Sequence, residues 1–332
     1  MDTAINVVYT YDDGYAAITA ISIISLLEAN KEVKDLRIYI VDYGIKADNK
    51  ERIRRIIEGY GRSVSFVSPI SVEERIPIQL DVKFWSPICY ERLFYDELLV
   101  DCDKVLHIDC DTMVKENLQD LYNMDIDDVL VAACYDCTPR PKRQANMPDN
   151  YQYISNGILL LNLKKWREEQ ITKRCVKYII DKKGVLPHLD QDVLSYAVQD
   201  SVIILPARFN VMPITFLYRE LCCRLFKKTE PYYDSEQIKT ACEQPAVIHF
   251  TGNPIIYRPW DQPCFHPYNS EWISLFTNSI YNDDKSIILE RNRKYGKLKK
   301  VRSLLWTQFC KLAIGRKVLF TYEFNKKYRK YL

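Results

Sequence analysis

The sequence predicts an α/β protein built around a largely parallel sheet. Two observations carry that expectation. Short apolar runs of strand length alternate with stretches whose apolar residues recur at helical spacing, the pattern of successive βαβ units. Polar and charged residues then cluster just after those runs, at the carboxyl ends of strands, where such sheets bind their ligands. The 332 residues, 47% hydrophobic and 27% charged, suit a globular chain of one large domain or one domain with an appendage.

In chain order, Ile5–Tyr9 reads as a buried strand running into Thr10-Tyr11-Asp12-Asp13-Gly14, a polar loop with a turn-forming glycine. Tyr15–Glu28 has helical apolar spacing, Leu36–Val41 is a second strand, Asp48–Tyr60 a charged amphipathic helix and Val64–Val67 a third strand. Later strands fall at Val105–Ile108, Val129–Ala133, Ile158–Leu161 and Val247–Phe250. Helices are expected at Pro87–Leu99, Lys164–Asp181, Gln191–Val198 and Ser270–Ser279. Residues 138–150 form a long polar loop, a candidate lid.

Several classes drop out. There is no run of about 18 apolar residues to make a transmembrane helix. Met1–Tyr9 has neither a basic region nor a long apolar region, so no signal peptide and a cytoplasmic location are expected. The 11 cysteines are an odd number scattered through apparent core segments, and they read as reduced, mostly buried thiols. Cys134 and Cys137 lack a second pair at zinc spacing. No G-x-x-x-x-G-K-[ST], G-x-G-x-x-G or G-x-S-x-G is present, which argues against Walker ATPases, kinases, nicotinamide dehydrogenases and α/β hydrolases.

The strongest local signal is Lys104-Val105-Leu106-His107-Ile108-Asp109-Cys110-Asp111. An apolar strand ends in two carboxylates spaced i, i+2, which an extended chain points to the same side. Like charges brought together there are costly unless a cation binds, and Mg2+ or Mn2+ is the simplest partner for hard oxygen ligands. A solvated strand-to-loop turn is the plain alternative. His249-Phe250-Thr251-Gly252-Asn253-Pro254 follows another apolar run and leads to Arg258-Pro259-Trp260. Imidazole suits Mn2+ better than Mg2+. Gly252 permits close backbone approach, and Arg258 is a natural partner for phosphate oxygens. A structural core histidine is the alternative for His249. Asp190-Gln191-Asp192 opens a helix, where acidic residues also favour the helix dipole. Asp12-Asp13-Gly14-Tyr15 is either a turn or the edge of a ligand site.

The net charge of +3 hides an asymmetry. Residues 286–332 hold 14 Lys+Arg against Glu290 and Glu323, and the rest of the chain is net acidic. Within this tail Val301, Leu305, Phe309 and Leu312 share one helical face, and aromatic residues are interleaved with basic ones. Such a helix suits an anionic membrane surface. Packing on the body and nucleic-acid binding are the other readings, and nucleic acid is not expected. The division expected is a catalytic domain over 1–285 and a basic amphipathic tail over 286–332.

Taken in order, these segments resemble glycosyltransferase family 8, in the layout of bacterial lipooligosaccharide and lipopolysaccharide α-galactosyl- and α-glucosyltransferases. The matching stretches are Asn6–Tyr15, Tyr90-Glu91-Arg92-Leu93, Asp103–Asp111, Asn156–Trp166, Asp190-Gln191-Asp192, Arg208-Phe209-Asn210 and His249-Phe250-Thr251-Gly252. The resemblance implies a GT-A (Rossmann-like) fold that transfers a hexose from a UDP-sugar with retention, giving an α-linkage, with Mn2+. It implies that Asp109, Asp111 and His249 hold the metal, that Asp12 contacts uracil with Thr10 beside it, and that Tyr15 stacks on the base. Gly252 and Arg258 would contact the diphosphate, and Arg92, Asp190 and Gln191 would surround the donor sugar. Retention by double displacement, with Gln191 on the β-face, and retention by a front-face route are both compatible with the sequence. The acceptor implied is a surface-glycan or lipid-linked oligosaccharide, with the tail on the inner face of the membrane.

Two departures from the family pattern stand out. Ile154-Ser155-Asn156-Gly157 replaces Phe-Asn-Ala-Gly or Phe-Asn-Ser-Gly, so the amide moves by one residue and Ser155 shares its role. Gly252 through Trp260 replaces Gly-x-x-Lys-Pro-Trp, with extra residues and Arg258 for lysine. The readings set beside the transferase are a binding protein with a decayed site and a self-glucosylating enzyme of the same family. An aspartyl phosphatase fits poorly, because its motif belongs on the first strand.

Overall fold

The structure, a computed structural model of the chain, describes residues 4–82, 86–136, 142, 144–148, 150–199, 201–222, 232–252, 258–261, 264–284 and 297–323. Most of the candidate lid, Cys137, the residues between Asn253 and Tyr257 and the expected boundary at 285 lie outside the described residues.

The strands are β1 (Ile5–Tyr11), β2 (Leu36–Asp42), β3 (Ser63–Val67), β4 (Lys104–Ile108), β5 (Thr112–Val114), β6 (Val131–Tyr135), β7 (Ile154–Asn162), β8 (Val202–Ile204) and β9 (Val247–His249). The longer helices are α1 (Ala16–Ala29), α2 (Ala47–Gly59), α3 (Ile171–Asp181), α4 (Leu189–Val198), α5 (Ser235–Glu243), α6 (Asn269–Thr277), α7 (Lys297–Cys310) and α8 (Ala313–Glu323). The chain folds as two compact units, one of Met1–Ala16, Leu27–Cys110 and Asn117–Leu205, the other of Ala17–Leu26, Asp111–Glu116 and Pro206–Leu332.

The first unit carries a sheet in the order β3-β2-β1-β4-β7-β6-β8. The expected parallel arrangement holds for every pairing except those of β7, which runs against both β4 and β6. That reversal decides where the site forms. Ile108 at the end of β4 faces Ile158, and the Asp109 N–H donates to the Gly157 carbonyl at 2.9 Å. The first residues of β7, Ile154 to Gly157, therefore extend beyond β4 alongside Asp109. Every residue of β7 is buried, as expected for a strand covered on both faces, and the strand begins four residues earlier than its aliphatic run suggests. Val8, Val105, Leu159, Leu161, Phe94 and Trp166 belong to its core.

Two expected helices are built differently. The stretch 164–181 splits into Leu163–Glu168 and α3, with Gln170 left-handed at φ 55° between them. The break brings the buried Trp166 indole N–H to Thr172 Oγ1 at 3.0 Å, giving a polar atom the partner that burial demands. Pro87–Phe94 is a 3-10 helix followed by a single α turn at Tyr95–Leu98. The 3-10 winding ends at Phe94, so Arg92 lies in its last turn and Tyr95 opens the α turn that follows. β5 and β8, three residues each, are too short for periodicity to reveal.

Glu91, beside Arg92, is fully buried. Its Oε2 accepts the Ile70 N–H at 3.1 Å, while Oε1 has no partner. Burial pushes this carboxyl from 4.5 up to about 7. The folded chain thus keeps a proton that the unfolded chain loses, so this contribution is full below about pH 4.5 and is lost as pH rises through about 7. Glu91→Gln should remove the slope. Its stability relative to the parent, read from urea midpoints, is expected to improve by about 2–3 kcal/mol between pH 5 and pH 9; parallel curves would refute the assignment.

In the second unit β5 and β9 pair antiparallel, with Thr112 opposite His249 and Val114 opposite Val247. The Phe250 N–H donates to the Asp111 carbonyl at 2.7 Å, closing the ribbon next to both residues. Phe250, Trp260, Trp272, Phe276 and His266 form an aromatic cluster behind it. Leu319 of α8 is buried with Leu217, Tyr218 and Cys222.

Candidate metal and donor site

In the first unit the site is built at the carboxyl end of β4. Asp109 Oδ1 accepts Arg92 Nη2 at 3.1 Å and lies 3.0 Å from His107 Nε2. Arg92 uses its whole fork. Nη1 donates to the Asn156 carbonyl at 2.8 Å, and Nε meets Asp190 Oδ2 at 3.1 Å. Burial works against the Arg92 charge, but the Asp109 and Asp190 carboxylates outweigh it and hold the guanidinium above its ordinary range. Asp190 is pushed up by burial, with Arg92 and the Asn156 amide opposing. Asn156 Nδ2 donates to Asp190 Oδ2 at 2.5 Å, and Asn156 Oδ1 is buried with no partner.

The Asp190-Gln191-Asp192 segment divides its labour. Asp192 accepts the Tyr153 hydroxyl at 2.5 Å and the His188 N–H at 2.8 Å, so it is the structural member. Gln191 Nε2 donates to Asp136 Oδ2 at 2.9 Å. Leu189, just before them, is left-handed at φ 50°, a strained position for a branched residue that turns Asp190 toward Arg92.

Thr10, on β1, bonds through Oγ1 to Tyr95 Oη at 2.7 Å. Asp12 precedes a 3-10 turn and accepts the Tyr15 N–H through its carbonyl at 3.0 Å. The neighbouring Asp13 takes the structural bonds, from Lys46 N at 2.9 Å and Asn49 Nδ2 at 2.7 Å. Ser155 is buried on β7 and, by strand alternation, points opposite to Asn156.

In the second unit Asp111 Oδ1 lies 3.0 Å from His249 Nε2, and Asp111 Oδ2 accepts Arg258 Nη2 at 3.2 Å. Arg258 Nε donates to the Phe250 carbonyl at 2.9 Å, and its guanidinium sits 5.7 Å from the Trp260 ring. Among the described residues, a side chain at Gly252 would meet Arg258 Nη2 at 3.9 Å and nothing closer.

Asp109, Asp111 and His249 each offer one ligand atom, and these atoms lie within 4.8 Å of one another. Two carboxylate oxygens and one imidazole nitrogen are a donor set that a divalent cation such as Mg2+ or Mn2+ accepts. The protonation pattern also fits. His249 stands between two acceptors, Asn210 Oδ1 at 2.9 Å from Nδ1 and Asp111 Oδ1 at 3.0 Å from Nε2; the tautomer with its hydrogen on Nδ1, donated to Asn210, turns an Nε2 lone pair to the cluster. That lone pair faces a carboxylate oxygen, an arrangement that a cation relieves.

Four residues not singled out as site members belong to this arrangement: Tyr95, His107, Asp136 and Asn210. Only His107 carried a usable signal, since it lies two residues before Asp109 on the same strand face.

A carboxylate pair and an imidazole at a strand end, with an arginine beside them, make a group that could hold a divalent cation. The profile of glycosyl transferase family 8 matches residues 6–264, and the chain belongs to that family. It is 26% identical over 288 residues to general stress protein A of Bacillus subtilis (strain 168), covering 85% of this chain and 96% of that protein. It is 25% identical over 299 residues to lipopolysaccharide 1,2-glucosyltransferase of Escherichia coli (strain K12), covering 87% and 84%. The crystal structure of galactosyltransferase LgtC with donor and acceptor sugar analogs superposes with a TM-score of 0.70 at 26% identity, covering 83% of this chain and 96% of that one. The fold is GT-A, in which a nucleotide-sugar donor and a divalent cation meet at the D-x-D carboxylates.

Proposed function

We propose that the protein is a retaining hexosyltransferase that moves galactose or glucose from a UDP-sugar to a surface-glycan or lipid-linked oligosaccharide, with Mn2+, forming an α-glycosidic bond. The observation that carries this reading is the Asp109–Asp111–His249 cluster in a family 8 chain. Relatives that act as a lipopolysaccharide 1,2-glucosyltransferase and a lipopolysaccharide 1,3-galactosyltransferase support the hexose and the acceptor class.

Asp109, Asp111 and His249 would hold Mn2+, or Mg2+ in its place; the imidazole favours Mn2+. When bound, the cation offsets the charge that builds on the diphosphate as the C1–O bond breaks. Arg258 and Gly252 receive the diphosphate, and Thr10, Asp12 and Tyr15 receive the uridine. Arg92, Asp190 and Asn156 surround the hexose, whose hydroxyls supply the donor that the buried Asn156 Oδ1 lacks, while Ser155, on the opposite face of β7, is turned away from it. Asp136 can only accept, so the Gln191 amide nitrogen faces it and Oε1 turns the other way. An amide oxygen is a weak nucleophile, which favours a front-face route with the leaving phosphate assisting the acceptor hydroxyl.

The test is UDP release with Mn2+ from UDP-glucose, UDP-galactose and their N-acetyl forms, without acceptor. Slow hydrolysis of one donor, abolished by EDTA, is expected. Silence across the panel, with no thermal shift from UDP plus Mn2+, would favour a binding protein with a decayed site.

The tail belongs to the same reading. No helix among the described residues is long and apolar enough to cross a membrane. Leu298, Val301, Leu305 and Phe309 line an exposed stripe of α7, and Arg302, Lys311 and Lys317 are exposed nearby. Such a stripe suits shallow insertion into an anionic bilayer, each cation adding about 1 kcal/mol. We assign 1–285 to catalysis and 286–332 to peripheral attachment at the inner face of the membrane. Leu305→Glu combined with Phe309→Glu should abolish co-sedimentation with phosphatidylglycerol vesicles; undiminished sedimentation would sink the assignment.

A further inference from the structure

We infer that His107, held by Tyr95, is a positioning residue that orients the Asp109 carboxylate for its cation and ties it to Thr10. The inference rests on the metal-dependent reading above and concerns residues to which that reading gives no role.

His107 is 1% exposed, in the middle of a hydrophobic strand. A buried imidazole needs partners at both nitrogens, and it has them. Nε2 lies 3.0 Å from Asp109 Oδ1, and Nδ1 lies 2.9 Å from Tyr95 Oη. Tyr95 Oη in turn lies 2.7 Å from Thr10 Oγ1. Hydrogen-bond chemistry sets the direction of this chain in the neutral imidazole. A carboxylate oxygen only accepts, so Nε2 carries the hydrogen and Nδ1 accepts. Tyr95 must then donate to Nδ1, and the Thr10 hydroxyl must donate to Tyr95. Burial keeps the Tyr95 phenol protonated by raising its pKa far above the ordinary range, so it can serve as that donor.

The consequence for Asp109 is geometric. Its Oδ1 is held from two sides, by His107 and by Arg92, so the plane of the carboxylate is set and with it the direction of the second oxygen. The consequence for Thr10 is chemical. With its hydrogen committed to Tyr95, its oxygen is left as an acceptor, so a group binding there must bring a donor, as the N–H of a pyrimidine base does. Thr10 lies on β1 and Asp109 just past the end of the neighbouring parallel strand β4, and the α turn after the 3-10 helix brings Tyr95 to both Thr10 and His107.

The test measures Mn2+ and UDP binding to the full chain, by the electron paramagnetic signal of free Mn2+ and by calorimetry with UDP, for the parent, His107→Leu, His107→Gln and Tyr95→Phe. His107→Leu should weaken Mn2+ about 10–100-fold, as loss of a partner behind a metal ligand does. His107→Gln, whose amide nitrogen sits where Nε2 does, should recover most of that loss. Tyr95→Phe should weaken both Mn2+ and UDP several-fold. A folded His107→Leu chain with parental Mn2+ affinity would overturn the inference, and so would Tyr95→Phe with both affinities unchanged. Should His107→Leu fail to fold, His107→Gln and Tyr95→Phe decide by the same criteria. A parent chain that binds neither Mn2+ nor UDP would instead overturn the proposed function, and this inference with it.

Discussion

Replacing Arg92 with leucine should lower stability by about 3–5 kcal/mol and abolish donor turnover. The guanidinium is largely buried and is the shared counter-ion of Asp109 and Asp190, which approach it at 3.1 Å each. Without it two carboxylates are left facing each other in a site that burial already makes unfavourable for Asp190. The Asn156 carbonyl loses its donor as well. Arg92→Lys keeps the charge but cannot serve three acceptors in three directions, so it should retain most of the stability and little of the turnover. Adding Asp190→Asn to Arg92→Leu should restore part of the lost stability, because one uncompensated charge is gone, without restoring activity. Urea midpoints for the four chains check this. An unchanged midpoint for Arg92→Leu would show that the carboxylates do not depend on it.

Asp111→Asn should silence donor hydrolysis, by about 10³-fold or more, the equivalent of about 4 kcal/mol in the transition state. The substitution keeps size and hydrogen-bonding capacity toward His249 and Arg258 but removes the charge that holds a cation. Stability without metal should change by under about 1 kcal/mol, because asparagine keeps an oxygen to accept from Arg258. The clearest contrast is linkage. At 100 times its dissociation constant a cation adds about 2.7 kcal/mol to a chain that binds it only when folded. The parent should therefore melt higher with Mn2+ and fall back with EDTA, while Asp111→Asn shows neither change. Equal shifts in both chains would place the cation elsewhere.

The sequence by itself determined the α/β class, the position of the D-x-D carboxylates at a strand end, the candidacy of His249 and Arg258, and the family. These are local facts. Alternation of apolar runs records burial, residues two apart on a strand share a face, and ordered motifs survive in the chain whatever it packs against. Only the tertiary structure decided the reversal of β7, which carries Asn156 to Asp109 and Asp190 and pairs with β4 some fifty residues earlier. It also decided that Asp192 is structural while Asp190 meets Arg92, that residues 87–94 wind as a 3-10 helix, that His107, held by Tyr95, stands behind Asp109, and that Asn210 stands behind His249. A polar side chain buried on folding must find its partner wherever the fold supplies one, and that partner is set by strand pairing and packing across long stretches of chain, which no local pattern of residues encodes.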